Sequence, residues 1–339
     1  MAGSGEPGTA PAAARDIPVS SSAPGAATDP AAFPAIEARG LRKVYGRKVA
    51  LHDLTLTVQP GEVFGFLGPN GAGKTTTIKI LTGLVTATAG EARIFGTPVT
   101  DRTARRRVGY LPELFRFHDW LTGADLLDFH GRLAGMAAEE RQARIPEVLA
   151  LVGLEGRGDE KIRGYSKGMT QRIGLAQALL QRPDLVLLDE PSSALDPVGR
   201  REVRDLIRGL CATGVTVFLN SHLLGEVELI CDRVAIVDRG RVVRAGPLAE
   251  VVGGRPELRL TLGRADRELL AALGRHGDVI SSEPTADGRV DVVLAVDDLD
   301  RAPAVARAAL TAGAELFGLV PARRSLEEVF VSLVEGGDG

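Results

Sequence analysis

The chain has 339 residues, room for about two domains at roughly 150 residues each. Hydrophobic residues make up 44% and charged residues 25%, which excludes wholly disordered, collagen-like and disulfide-dense classes. Net charge is −3, so no global basic field marks a nucleic-acid binder, and no aliphatic run approaches the ~20 residues of a membrane-spanning helix. Cys211 and Cys231 lie in apolar stretches and read as buried, reduced thiols of a cytosolic protein.

Residues 1–34 are rich in Ala, Pro, Gly and Ser and nearly lack large apolar side chains. They offer too little burial to offset ordering entropy and read as a disordered tail without signal-peptide features. Strands follow at residues 36–41, 44–46 and 54–58, the last with period-two alternation and a Pro60-Gly61 stop. A short apolar strand, residues 62–67, leads into a glycine-rich turn and a helix over 74–84. Residues 121–154 read as helical, opened by a capping-box-like Thr122-Gly123-Ala124-Asp125. Residues 184–189 and 215–220 are buried-strand runs, and 234–244 is a hairpin around Asp238-Arg239-Gly240. This alternation of strand and helix implies an α/β fold with a mainly parallel sheet. Beyond residues 252–256 the pattern becomes β-α-β-β-α-β plus one helix, a ferredoxin-like order. The expected organisation is therefore a first domain over 35–252 and a small α+β domain over 256–339.

Gly68-Pro69-Asn70-Gly71-Ala72-Gly73-Lys74-Thr75-Thr76 fits the phosphate-loop pattern G-x-x-x-x-G-K-[ST]. It lies between an apolar strand and a helix start, where backbone N–H groups and the helix dipole favour phosphate oxygens. Lys74 is placed to reach the β- and γ-phosphates and Thr75 to ligate Mg²⁺. Downstream, Leu185-Val186-Leu187-Leu188-Asp189-Glu190 is an apolar strand ending in two acids. Strand carboxyl ends line the ligand crevice of an open α/β sheet, so Asp189 suits the metal and Glu190 suits a general base.

These motifs, in this order, resemble the ATP-binding subunits of ABC transporters over about residues 36–252. The resemblance implies a P-loop ABC-type nucleotide-binding fold: a parallel-sheet core, an antiparallel β subdomain and a helical subdomain near residues 115–170. It implies that Tyr45 stacks on adenine. Glu113, in Tyr110-Leu111-Pro112-Glu113, stands where the family has glutamine, offering an oxygen to Mg²⁺ or the lytic water. Tyr165-Ser166-Lys167-Gly168-Met169-Thr170-Gln171-Arg172 occupies the signature position, with Ser166 and Gly168 matching. In the family that loop binds the γ-phosphate of ATP held by a second subunit. Asp196, in Ser193-Ala194-Leu195-Asp196, matches the dimer-contact loop, and His222, in Asn220-Ser221-His222, the switch histidine. The implied catalytic set is Lys74, Glu190 and His222; the implied metal ligands are Thr75, Asp189 and Glu113; the implied cofactors are ATP and Mg²⁺.

Leu114-Phe115-Arg116-Phe117-His118-Asp119-Trp120-Leu121 stands where the family receives a helix of its membrane permease. The alternative is that Phe115, Phe117 and Trp120 are helical-subdomain core. Leu326, Val329, Phe330 and Leu333 form one apolar helical face, either core of the small domain or a dimer contact. The combination of Tyr-Ser-Lys-Gly-Met, Glu113 and Ser325-Leu326-Glu327-Glu328-Val329-Phe330 resembles ABC-2-type exporter ATPases. The resemblance implies ATP hydrolysis by a homodimer that powers a separate permease from the cytoplasmic face of the membrane. The rival readings are a soluble ABC ATPase acting on nucleic acid or ribosomes, and a non-hydrolysing nucleotide sensor. One cassette without coiled-coil or zinc insertions speaks against the first; Glu190 and His222 speak against the second.

Overall fold

The computed structural model describes residues 33–193, 195–322 and 325–335. The expected tail lies outside these but for its last two positions, as do Ala194 of the dimer-contact loop and the final four residues.

The first part of the chain folds around one ten-stranded sheet. Its strands are β1 (Ile36–Tyr45), β2 (Lys48–Val58), β3 (Val63–Leu67), β4 (Ala89–Ile94), β5 (Thr97–Pro98), β6 (Val108–Leu111), β7 (Leu185–Asp189), β8 (Thr216–Asn220), β9 (Arg233–Asp238) and β10 (Arg241–Pro247). Its helices are α1 (Lys74–Leu81), α2 (Arg102–Arg105), α3 (Gly123–Leu133), α4 (Ala138–Leu151), α5 (Lys167–Leu179), α6 (Pro197–Ala212), α7 (Leu224–Ile230) and α8 (Leu248–Val252). The sheet order is β5-β4-β1-β2-β10-β9-β3-β8-β7-β6. From β9 to β6 every pairing is parallel, whereas β5, β4, β1 and β2 pair antiparallel. The sheet is thus only partly parallel: a single bridge, Arg241 to Asp53, joins an antiparallel wing to a parallel core.

The parallel strands are unbroken apolar runs because helices cover both faces. All residues of β3, β7 and β8 are buried, and Phe64 and Phe66 of β3 ring-pack against Phe218 of β8. The long helical segment expected over 121–154 is two helices. Gly135, with φ of 79°, turns the chain between α3 and α4 in a backbone region that glycine enters without strain. The Thr122–Asp125 capping box forms as the sequence indicates, each side chain accepting the other's backbone N–H.

The second sheet comprises β11 (Glu257–Leu262), β12 (Asp278–Pro284), β13 (Val290–Ala295) and β14 (Leu316–Ala322), ordered β12-β13-β11-β14 and wholly antiparallel. Helices α9 (Arg267–Leu273) and α10 (Ala302–Thr311) cover one face, over Leu258, Leu260, Leu262, Val292 and Leu294. The chain order is the expected β-α-β-β-α-β. The last helix, α11 (Leu326–Glu335), departs from both sequence expectations. It leaves the small core and packs on α7 and α8, with Leu326 and Val329 buried in the main core and Phe330 and Leu333 against it. Its apolar face has its partner within this chain, and each buried aliphatic side chain there contributes about 1.5–3 kcal/mol.

Candidate functional site

Strand register gathers the chemistry at one edge. Phe66 of β3 and Asp189 of β7 both pair with Asn220 of β8, so the residues leaving all three strands emerge side by side at their carboxyl ends. Those residues are the glycine-rich loop, Glu190, and Ser221-His222.

The loop is tied tightly to its surroundings. A side chain at Gly68 would meet the Val237 carbonyl at 2.2 Å. Gly73 has φ of 104° and its missing Cβ faces Leu51 and the Ala50 carbonyl. Gly73 also caps α1, leaving the helix's first N–H groups directed at the loop. Lys74 Nζ donates to the Gly68 carbonyl at 2.7 Å and the Pro69 carbonyl at 3.2 Å. Burial lowers its pKa, while Glu190, Asp189 and Glu113 pull it back up. Thr75 is exposed on the first turn of α1.

Asp189 is 1% exposed. Its carboxylate accepts from Asn220 Nδ2. Burial and the charge of Glu113 nonetheless push its pKa up. Glu190 carries the sharper geometry. Its backbone is left-handed, with φ of 57°, a conformation costing about 1–3 kcal/mol for a residue with a side chain. The Glu190 N–H donates to the Asn220 carbonyl at 2.9 Å, which holds that turn. The buried carboxylate sits 2.7 Å from His222 Nδ1, and its pKa is raised by burial against the lowering pull of His222. Sequence spacing does not reveal this pairing: the two residues meet because β7 and β8 are neighbours.

The remaining expected residues are more dispersed. Ser166 caps α5, accepting the Met169 N–H at 3.2 Å, and Gly168 follows on its first turn. Asp196 caps α6, accepting the Gly199 N–H at 2.8 Å. Among the described residues neither side chain has a hydrogen bond to the Lys74 loop. Tyr45 is half-exposed at the β1–β2 hairpin, with Lys43 Nζ 4.9 Å from its ring centre. Its link to the loop runs through β2, whose Ala50 and Leu51 abut Gly73. Tyr110, absent from the sequence-derived set, has its hydroxyl pKa pushed up to about 12 by burial, with Asp189 and Glu113 adding to the rise. A cavity of about 460 Å³ lies elsewhere, between the second sheet and α11, lined by Arg259, Asp291, Glu328 and Ser332 among others. None of the nucleotide-motif residues lines it.

Residues 51–193 match the ABC transporter family model. An uncharacterised ABC transporter ATP-binding protein of Synechocystis is 44% identical over 287 residues, which are 83% of this chain and 77% of the relative. The chain belongs to the ABC transporter ATP-binding proteins. The daunorubicin/doxorubicin resistance ATP-binding protein DrrA of Streptomyces peucetius is 38% identical over 88% of this chain and 92% of its own length. A solved ATP-binding cassette, dimeric and holding ADP and phosphate in a post-hydrolysis state, superposes with TM-score 0.58 at 27% identity, covering 63% of this chain and 98% of that one. As an ABC transporter ATP-binding protein, it belongs to a family that binds ATP.

The carboxyl-end cluster of this ABC protein also suits a divalent cation. Asp189, Glu113 and the Thr75 hydroxyl are hard oxygen donors, and the buried Asn220 Oδ1 beside Asp189 has no partner. Among the described residues no group of three or more His, Cys, Asp or Glu is placed to hold an ion alone.

Turnover is expected to fall on acidification at a pH above the ordinary glutamate range of about 4.3. Burial raises the Glu190 pKa, and only the ionised carboxylate accepts a proton. The rate–pH profile at saturating ATP, with folding followed by circular dichroism, measures this; a flat profile down to about pH 4.5 would remove Glu190 as base.

Proposed function

We propose that this protein is the ATP-hydrolysing subunit of an ABC-2-like exporter, working as an ATP-bridged homodimer on a separate permease. The observation that carries the hydrolytic reading is the buried Glu190, held in a left-handed turn 2.7 Å from His222 and beside Lys74. Lys74 and the loop N–H groups bind the phosphates. Glu190 takes a proton from the attacking water, and His222 orients Glu190 and lies next to the reacting end of the nucleotide. Bound Mg²⁺, on Thr75, Asp189 and Glu113, would neutralise phosphate charge. Catalysis is then positioning and electrostatics, as phosphoryl transfer requires.

The dimer is supported by what one chain lacks. Ser166 caps α5 and Gly168 lies on its first turn, and among the described residues neither bonds to its own chain's loop; in this reading they serve the nucleotide of a second copy. The dimeric solved relative supports the same arrangement. Resistance to a drug, in the name of the DrrA relative, is what outward pumping provides. No helix among the described residues is long and apolar enough to cross a membrane, and in this reading cargo passes through a separate permease. That permease places this subunit peripherally, on the cytoplasmic face.

The surface offered to it is specific. Leu114 is 88% exposed and Trp120 66%, the latter stacked on His118, whereas Phe115 and Phe117 turn inward onto the core. The aromatic cluster thus divides into exposed and core members. Trp120→Ala is expected to change stability by less than about 0.5 kcal/mol and leave the isolated chain's ATPase rate unchanged, while abolishing permease association. Phe115→Ala is expected to destabilise by about 2–4 kcal/mol, read by denaturant unfolding. The decisive experiment purifies the tagged chain from gently solubilised membranes and identifies the integral membrane protein that accompanies it. Recovery of a dimer without one would defeat the transport reading.

A further inference from the structure

The helix after the switch residue is gripped from two sides. α7 begins immediately beyond His222, whose carbonyl accepts the Leu224 N–H at 3.1 Å, while Ser221 Oγ accepts the Leu223 N–H at 3.1 Å. On one side, α6 holds α7 through the Arg204–Glu226 pair at 3.4 Å and through Arg208, which donates to the Leu229 carbonyl at 2.6 Å. On the other side lies α11. Val227 of α7 is fully buried in the same core cluster as Leu326 and Val329. The Glu228 carboxylate accepts the backbone N–H of Leu326, the first residue of α11.

That end of α11 is otherwise completed by its own capping box. The Glu328 N–H donates to Ser325 Oγ at 3.1 Å, and the Ser325 N–H donates to Glu328 Oε2 at 3.0 Å. Glu228 satisfies a further N–H that the box does not reach, and its charge lies at the positive end of the helix dipole. A carboxylate on one helix therefore fixes the position of another, across the junction between the two parts of the chain.

We propose that Glu228 is a positioning residue for the Glu190–His222 pair, acting through α7, whose place is set by the cap it makes on α11. The proposal rests on the hydrolytic role assigned to that pair above. The His222 side chain is 63% exposed, so little besides its bond to Glu190 and its own backbone holds it. That backbone is continuous with α7, and Glu228 lies about 9 Å further along at 1.5 Å per residue. A tilt of so short a helix is passed directly to the imidazole. Misplacing a catalytic group by about 1 Å is enough to slow turnover up to 10²-fold. The second part of the chain thereby acts on the first without touching nucleotide.

The test uses the full-length chain, with ATP-binding sites titrated by a fluorescent nucleotide so that kcat is expressed per competent site. Glu228→Ala is expected to lower kcat roughly 3–10-fold with the nucleotide Kd within about twofold of the parent. Glu228→Gln, which keeps an acceptor oxygen for the Leu326 N–H, is expected to recover at least half the parental rate. Ser325→Ala weakens the same junction from the α11 side and is expected to lower kcat in the same direction without touching α7. Parental kcat in Glu228→Ala would overturn the proposal, as would a loss confined to nucleotide affinity or a glutamine variant as slow as alanine. His222→Ala runs alongside. If it is impaired while Glu228→Ala is normal, this proposal alone falls; if it hydrolyses ATP at the parental rate, the assigned role of the pair falls and the proposal with it.

Discussion

Glu190→Gln is expected to bind ATP as the parent does and to lose 10²–10⁴-fold in turnover, the range that general-base catalysis contributes. The substitution is nearly isosteric and keeps an oxygen near His222 Nδ1, now 2.7 Å from Glu190 Oε2. What it removes is the ability to accept a proton from water. Phosphate release measures the loss, and nucleotide titration measures the binding. The second signature is assembly: with ATP no longer consumed, the nucleotide-bridged dimer accumulates and appears in size-exclusion chromatography with ATP and magnesium. Stability should not suffer. Burial raises the Glu190 pKa in the folded state, so the ionised form is less favoured there than in the unfolded chain. Glu190 thus lowers stability as pH rises through this window, and a neutral amide escapes that penalty. Parental turnover in this variant would exclude Glu190 as base.

How much of this site was legible in the sequence depends on whether its parts are contiguous. The loop from Gly68 to Thr76 is one segment, and its strand-turn-helix setting follows from local pattern. Asp189 and Glu190 were visible as acids ending an apolar run. Their meeting with Asn220 and His222 was not visible from spacing, because it depends on β7 and β8 being adjacent and in one register. Resemblance to a family put His222 into the same site without pairing it with Glu190, or Asn220 with Asp189. β4 was missed since its first half is exposed and lacks a clear apolar alternation, and α6 despite carrying its signals, Asp196 as cap and Pro197 at the first helical position. The apolar face of α11 was legible, but amphipathicity says that a helix has a partner and not which one. Its seat on α7 and α8 is a tertiary fact.

Lys74→Ala is expected to weaken ATP binding by about 10²–10⁴-fold and to reduce turnover below detection, whatever the ATP concentration used. Charge-assisted hydrogen bonds contribute about 1.5–3 kcal/mol each, and two phosphates would lose theirs together. The surroundings sharpen the effect. Glu190, Asp189 and Glu113 all act electrostatically on the Lys74 ammonium, so its removal leaves three carboxylates facing the site. Arriving triphosphate would then meet net negative charge with only backbone N–H groups and the metal to oppose it. Lys74→Arg separates charge from shape: the charge remains, but the planar guanidinium cannot replace an ammonium that sits 2.7 Å from the Gly68 carbonyl and 3.2 Å from that of Pro69. Arginine should therefore recover part of the affinity and little of the rate. Isothermal titration with ATP, paired with phosphate release, distinguishes the two. If alanine bound ATP as tightly as lysine does, the loop would not be the phosphate site, and the roles derived for Asp189, Glu190 and His222 around it would lose their common centre.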